Sequence, residues 1–308
     1  MTHEQYLKNL AVPAGPIDVV LDTDAYNEID DQFAIGYLIG KAEQFRIRAI
    51  CAAPFSNSKA ATAAEGMEKS YDETLKLLAL MGREELKKKV LRGSQRYLPD
   101  EQTAVDSPAA RRMAALAEEY TPQRPLYIIA IGAITNVASA ILQNPHVAEN
   151  CVVVWLGGHG LHMPQGASEF NMKQDIAAAR VVYGSGVPLV LLPCAGVVDR
   201  LCTSRYELQH WLAGKSALCD YLYENTVREA ESYAAGKPWT RVIWDVSAVA
   251  WLLNADGRLM KDKVISCPVP EYDRTYTPGG EDARPIRYVC WIDRDAVFED
   301  LFDTLSGM

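Results

Sequence analysis

The 308-residue sequence predicts an α/β fold, with an open, mostly parallel central sheet, helices on both of its faces, and a helical second half. Three observations carry this. Short apolar runs alternate with longer segments of helical character as far as Leu192. The runs are continuously apolar, as strands covered on both faces are. A carboxylate-rich turn follows the first run directly, at the carboxyl end of a strand, where open α/β sheets place their sites.

The predicted strands are Ile17–Leu21, Phe45–Ala52, Leu126–Ile131, Cys151–Leu156 and Val187–Leu192. Between them, helices are predicted over Asp31–Gly40, Lys59–Met81, Pro108–Glu119, Thr135–Leu142 and Asp175–Tyr183. Ser107 followed by Pro108 gives a side-chain cap and a proline at the first helical position. Gly184 and Gly186 close the helix that begins near Asp175. The right-handed crossover rule places successive strand ends along one edge. After Pro193 the pattern changes to helices at Glu207–Ala213, Ser216–Ala235 and Asp245–Asn254. Strand-like runs return at Val264–Val269 and Ile286–Trp291, separated by a polar loop over Tyr272–Arg284. No repeat, low-complexity tract or linker divides the chain, so one domain over residues 1–308 is expected.

Hydrophobic residues make up 49% of the chain, ample for a large buried core. The formal net charge of -9 leaves no basic footprint for a nucleic acid. No uninterrupted apolar run is long enough to span a bilayer, and no basic start precedes a long apolar core at the N-terminus. Seven scattered cysteines suit reduced core thiols in a cytoplasm better than a disulfide framework or a zinc site.

The run Leu21–Asp31 holds four aspartates and a glutamate in eleven residues. Mutual repulsion among so many carboxylates is unfavourable unless a cation or protonation relieves it. Hard oxygen ligands of this kind suit Ca²⁺ or Mg²⁺. Asp30 and Asp31 open the next helix, whose free N–H groups and dipole favour negative charge. Helix capping accounts for one or two of the acids, not four. An EF-hand loop counted from Asp22 fails, because Tyr26, Asn27 and Phe33 stand at its fifth, sixth and twelfth positions. A phosphatase-like loop beginning Asp22-Thr23-Asp24 is closer, but also meets Tyr26 at its fifth position.

Three further segments carry candidate chemistry. Gly132-Ala133-Ile134-Thr135-Asn136 joins a strand to a helix, and a carbonyl freed in such a turn is a good ligand for a hard cation. Gly157-Gly158-His159-Gly160 leads to Glu169-Phe170-Asn171, whose glutamate and asparagine offer the mixed acceptors and donors that sugar hydroxyls need. Trp244-Asp245 opens an apolar helix. An acid there is a common cap, and the tryptophan offers a flat face for stacking.

Asp22–Asp31, Gly132–Asn136, Gly157–Asn171 and Trp244–Ala250, in that order, resemble the motifs of the nucleoside hydrolase family, over a span from about Val19 to Leu253. The resemblance implies hydrolysis of the N-glycosidic bond of ribonucleosides with one Ca²⁺ per subunit. By carry-over, Asp24, Asp31, Asp245 and the carbonyl of Thr135 hold the ion, and Asp24 is the base that activates water. Asp30, Glu169 and Asn171 hold the ribose hydroxyls, joined more loosely by Asn57. Asp22 lies close behind, and Asn27, in a lengthened loop, adds a polar group near the site. Where many members carry a histidine that protonates the leaving base, this chain has Trp244, which points toward the purine-preferring branch. His159 and His162 are other candidate acids. A cytoplasmic homodimer or homotetramer is implied. Two other readings stay open: a metal-dependent phosphohydrolase with Asp22 as nucleophile, and a non-catalytic binder of ribosyl ligands.

Overall fold

The computed structural model describes residues 1–280 and 283–308. Its strands are β1 (Ile17–Thr23), β2 (Phe45–Ala52), β3 (Val90–Arg92), β4 (Leu126–Ala130), β5 (Cys151–Leu156), β6 (Leu189–Leu192), β7 (Cys202–Thr203), β8 (Arg241–Val242), β9 (Met260–Ser266), β10 (Val269–Pro270), β11 (Tyr276–Thr277) and β12 (Pro285–Ile292). Eight of them form one sheet in the order β3-β2-β1-β4-β5-β6-β12-β9. All neighbours in it are parallel except β12 and β9. The short pairs β7–β8 and β10–β11 lie outside it.

Strand burial shows why the sheet is parallel and central. From Asp18 to Thr23, β1 is buried throughout, and β4, β5 and β6 are buried along their whole length. Side chains alternate between two cores. Val19, Leu21, Ile129 and Val154 enter one, and Val20, Ile128, Val153 and Leu191 the other. The first core is closed by helices Asp30–Gly40, Ala63–Leu80, Arg205–Leu212, Ala217–Ala234, Val246–Leu252 and Arg294–Ser306, which supply Phe33, Leu77, Leu208, Leu222, Trp251 and Phe298. The second is closed by Pro108–Ala117, Thr135–Gln143 and Ile176–Gly184, through Met113, Val137 and Val182.

The expected strand-like runs near the end of the chain become β9 and β12, which complete the sheet, and the chain ends on the helix Arg294–Ser306. Besides short helices and two-residue strands, an edge strand and a core helix escaped the sequence. β3 is three residues long and follows the charged segment Glu84–Lys89, so it shows no apolar run. The last helix has no apolar run either, only buried positions Val297, Phe298, Leu301, Phe302 and Leu305 at helical spacing. The loop expected at Tyr272–Arg284 contains β11, and its residues Glu281 and Asp282 lie outside the described residues. No described helix is long and apolar enough to cross a membrane.

The topology fixes where a site can form. From β1 the chain runs outward to β2 and β3, then returns to β4 on the other side of β1. The carboxyl ends of β1 and β4 therefore flank a switch point, where connections diverge and leave a crevice.

Candidate active site

Asp24, one residue past the end of β1, lies on the wall of an open cavity at this crevice, together with Asp30, Asp31 and Asp245. Asp30 and Asp31 are the first two residues of helix Asp30–Gly40, which has no side-chain cap. Asp245 precedes helix Val246–Leu252. Two helix N-termini thus converge on one point, and the free N–H groups of each favour the anions gathered there. Single carboxylate oxygens of Asp30, Asp31 and Asp245 lie within 4.8 Å of one another, and all three residues are buried. Thr23 Oγ1 donates to Asp31 Oδ1 at 2.5 Å, and the Trp244 amide to Asp30 Oδ2 at 3.1 Å.

The electrostatics follow from burial. Loss of hydration raises Asp24, Asp30 and Asp245 well above the usual carboxylate range, and their charges act on one another in the same direction. Asp31 rises to about 7, mainly by burial, despite hydrogen bonds from Thr23 and Asp245. Asp24 Oδ2 is buried with no hydrogen-bond partner. Buried acceptors are seldom left unpaired, and oxygen-rich carboxylate clusters suit hard divalent cations. The residues therefore fit such an ion on donor chemistry and on the unpaired oxygen alike.

Residues two apart on a strand share a face, but Asp24 leaves the path of Asp22 because β1 stops at Thr23. Asp22 remains in the sheet, fully buried between Cys51 and Ala130. It is not part of the cavity wall. Its Oδ1 accepts from Asn136 Nδ2 at 2.8 Å, and burial lifts its pKa to about 7. Asn136 also donates to the Ala52 carbonyl and accepts from Ser94, so one side chain ties together the ends of β1 and β2 and the turn after β3. In sequence it stood only as the last residue of the strand-to-helix turn Gly132–Asn136.

The turn after β4 presents Ile131 to the cavity, not Thr135. Thr135 is the first residue of its helix, and its Oγ1 donates to Asp175 Oδ2 at 2.7 Å. A Cβ on Gly132 would lie 3.1 Å from Asp24 Cγ and 3.0 Å from Ala53 Cβ, so this glycine lets the β4 turn approach Asp24 closely. Ile131, the last residue before the glycine, therefore reaches the cavity wall, and Thr135 stands one helical turn behind it.

Glu169 and Asn171 both line the cavity. Glu169 Oε2 accepts from the Gly158 and Met172 amides, and Oε1 from the Asn171 amide. The carboxylate thus caps helix Phe170–Gln174 and holds the glycine loop, while Oε1 keeps acceptor capacity. Asn171 Nδ2 donates to the carbonyls of Ile131 and Leu156, leaving Oδ1 toward a ligand. Asn27 lines the wall and Asn57 does not. Asn57 Nδ2 donates to Asn27 Oδ1 at 2.7 Å and reaches the site only through it. Half-buried Trp244, Phe170 and His159 make the outer part of the wall, and His162 is not part of it. Arg241, just before Trp244, donates to Glu28 on the rim at 2.8 Å and to Glu229 at 3.2 Å. Its distance in sequence from the Asp-rich run hid it.

Comparison with known proteins places this geometry. The chain is 28% identical over 157 residues to the pyrimidine-specific ribonucleoside hydrolase RihB of Escherichia coli O1:K1, a match covering 48% of this chain and 49% of that protein. The chain spans about half the length of the curated relatives it matches. A plant nucleoside hydrolase superposes with a TM-score of 0.73 at 17% identity, covering 95% of this chain and all of that one. The purine-preferring ribonucleoside hydrolase of Gardnerella vaginalis superposes at 0.71 and 17% identity, covering 94% of this chain and 98% of that one. These two likenesses show the fold. The family model described as inosine-uridine preferring nucleoside hydrolase matches residues 19–299, and the chain belongs to that family.

Proposed function

We propose that the protein hydrolyses the N-glycosidic bond of ribonucleosides to free base and ribose, with Ca²⁺ held by Asp24, Asp31 and Asp245 and purine nucleosides favoured. The observation that carries this is the buried convergence of Asp24, Asp30, Asp31 and Asp245 at the switch point, with an unpaired Asp24 oxygen among them. A backbone carbonyl of the turn after β4, that of Thr135 by the family resemblance, completes the oxygen set in this reading. The ion supplies positive charge that relieves the acid cluster and makes water in the site more acidic.

Asp24 accepts the proton from the attacking water. Asp30 and Asn171 Oδ1 accept hydrogen bonds from the ribose hydroxyls, with Glu169 Oε1 beside them, and so hold the sugar for attack. The ring of carboxylates stabilises positive charge growing on the ribosyl carbon as the base departs. Trp244 and Phe170, in the outer wall, offer flat faces to a base. Their combined area supports the purine preference.

The phosphohydrolase reading requires Asp22 to attack substrate. Asp22 is fully buried, held by Asn136 and absent from the cavity wall. A pair of variants tests the choice on inosine. Asp24→Asn is expected to lower kcat by at least about 10³-fold, because it removes the general base and also alters the ion site. Asp22→Asn is expected to retain kcat within about 10-fold, since its surroundings act only on position. Comparable loss in both, with the fold intact, would count against the assignment.

A further inference from the structure

We propose that His159 is the hydrogen-bond donor to the leaving base, acting as a neutral imidazole through Nε2–H. This rests on the hydrolase reading above and adds to it a group that reading leaves out.

A departing base carries away the electron pair of the C1′–N bond and needs a donor. The cavity wall is rich in acceptors, and besides His159 its side-chain N–H groups are those of Asn27, Asn171 and Trp244. It holds six carboxylates, and the amide hydrogens of Asn171 are already given to the Ile131 and Leu156 carbonyls. His159 is the one histidine on the wall among the described residues. It is half-buried beside Trp244 and Phe170, outside the fully buried acid floor. A ribose held by the acids puts its base in this outer part.

Backbone geometry decides the tautomer. The Ala195 amide points at His159 Nδ1, 3.3 Å away. A backbone N–H can only donate, so Nδ1 carries the lone pair and the ring hydrogen of the neutral form sits on Nε2. The same contact opposes the imidazolium, which would set two hydrogens against each other. Burial and the nearby Lys173 charge also favour the neutral ring, against a smaller opposite effect of Asp199. The ring is well anchored. The His159 amide donates to the Gly166 carbonyl at 2.6 Å, the Gly160 amide to Ala195 at 2.9 Å, and the Cys194 amide to Gly158 at 2.8 Å. Gly158 has φ +73°, a conformation that turns the chain so that position 159 meets the cavity.

The step balances without proton transfer from the histidine. The water oxygen forms the new C1′–O bond and its proton goes to Asp24. The C1′–N bond breaks with its pair going to the base, whose acceptor atom takes the Nε2–H hydrogen bond. The base anion then takes a proton from solvent, and His159 is unchanged.

The test compares inosine with p-nitrophenyl β-D-riboside, whose leaving group is stable as an anion and needs no donor. His159→Ala is expected to lower kcat on inosine by about 10²-fold, the scale of one lost hydrogen-bond donor to developing charge. KM and the melting temperature should hold, and kcat on the nitrophenyl riboside should stay within about 3-fold. His159→Gln keeps an N–H donor and should recover part of the loss on inosine. Equal loss on both substrates, or none on inosine, would overturn the assignment. Failure of the unmodified protein to cleave either substrate would instead remove the hydrolase reading, and this one with it.

Discussion

Asp245 has two effects of opposite sign. It contributes an oxygen to a cluster suited to a divalent cation, and without the ion it is one more charge buried among Asp24, Asp30 and Asp31. Asp245→Asn should therefore raise the melting temperature of the metal-free protein, by roughly 2 °C for about 1 kcal/mol of relieved repulsion. It should also abolish most of the further rise that Ca²⁺ gives to the unaltered protein. Scanning calorimetry with chelator and with Ca²⁺ checks both signs, and a lower metal-free melting temperature would contradict the account. Asn136 works differently, as the sole hydrogen-bond partner of Asp22 Oδ1 among the described residues. Asn136→Ala leaves that carboxylate with no partner and should cost about 1–3 kcal/mol in denaturant unfolding. At this scale the sequence was legible where charge density betrayed function. Asp24, Asp30 and Asp31 are conspicuous because acids that dense are rare after a strand. That Ile131 rather than Thr135 lines the cavity was not legible, because what a turn exposes depends on where the helix begins winding. The role of Asn136, and that of Asp175 beyond capping its own helix, were hidden for a related reason, since the partners concerned lie 42 or more and 40 or more residues away.

The elements that matter are two helices whose first turns meet at the end of β1. Neither Asp30–Gly40 nor Val246–Leu252 has a side-chain cap, so their acids face the shared cavity rather than closing their own ends. The consequence is a pH dependence of the metal-free fold. Burial pushes Asp22 and Asp31 up to about 7 in the folded state, from the ordinary value of 3.8, and raises Asp24, Asp30 and Asp245 well above that ordinary value too. The folded state thus holds more protons than the unfolded one between pH 4 and 7 or above, and its stability falls as pH rises through that window. With chelator, the urea midpoint should decline from pH 5 to pH 8. With saturating Ca²⁺ the decline should flatten or reverse, because the ion binds the deprotonated acids. A metal-free midpoint that climbs with pH would contradict this. The long apolar strands and the capped helix Pro108–Ala117 stood out in the sequence because local signals marked their ends. β3 and the last helix did not, since their membership depends on neighbours that complete the sheet and core.

Over the whole molecule, the order β3-β2-β1-β4-β5-β6 puts the reversal of connection direction between β1 and β4. The acids after β1, the glycine turn after β4 and the Glu169–Asn171 segment after β5 then open on one cavity. The sequence predicted the layers and the edge bearing the site, because alternation of apolar runs determines both. It marked a strand-like run near β9 but not that β9 pairs antiparallel at the far edge, where alternation no longer applies. The family assignment rests on a match over residues 19–299 and the fold on the structural likenesses, whereas the activity of this chain rests on the chemistry of the cavity. The most direct measurement is release of free ribose from inosine by the purified protein, with Ca²⁺ and after chelation. The account predicts release that chelation abolishes and added Ca²⁺ restores, faster on inosine and adenosine than on uridine. Release unaffected by chelation, or none from any ribonucleoside while Ca²⁺ is demonstrably bound, would contradict it.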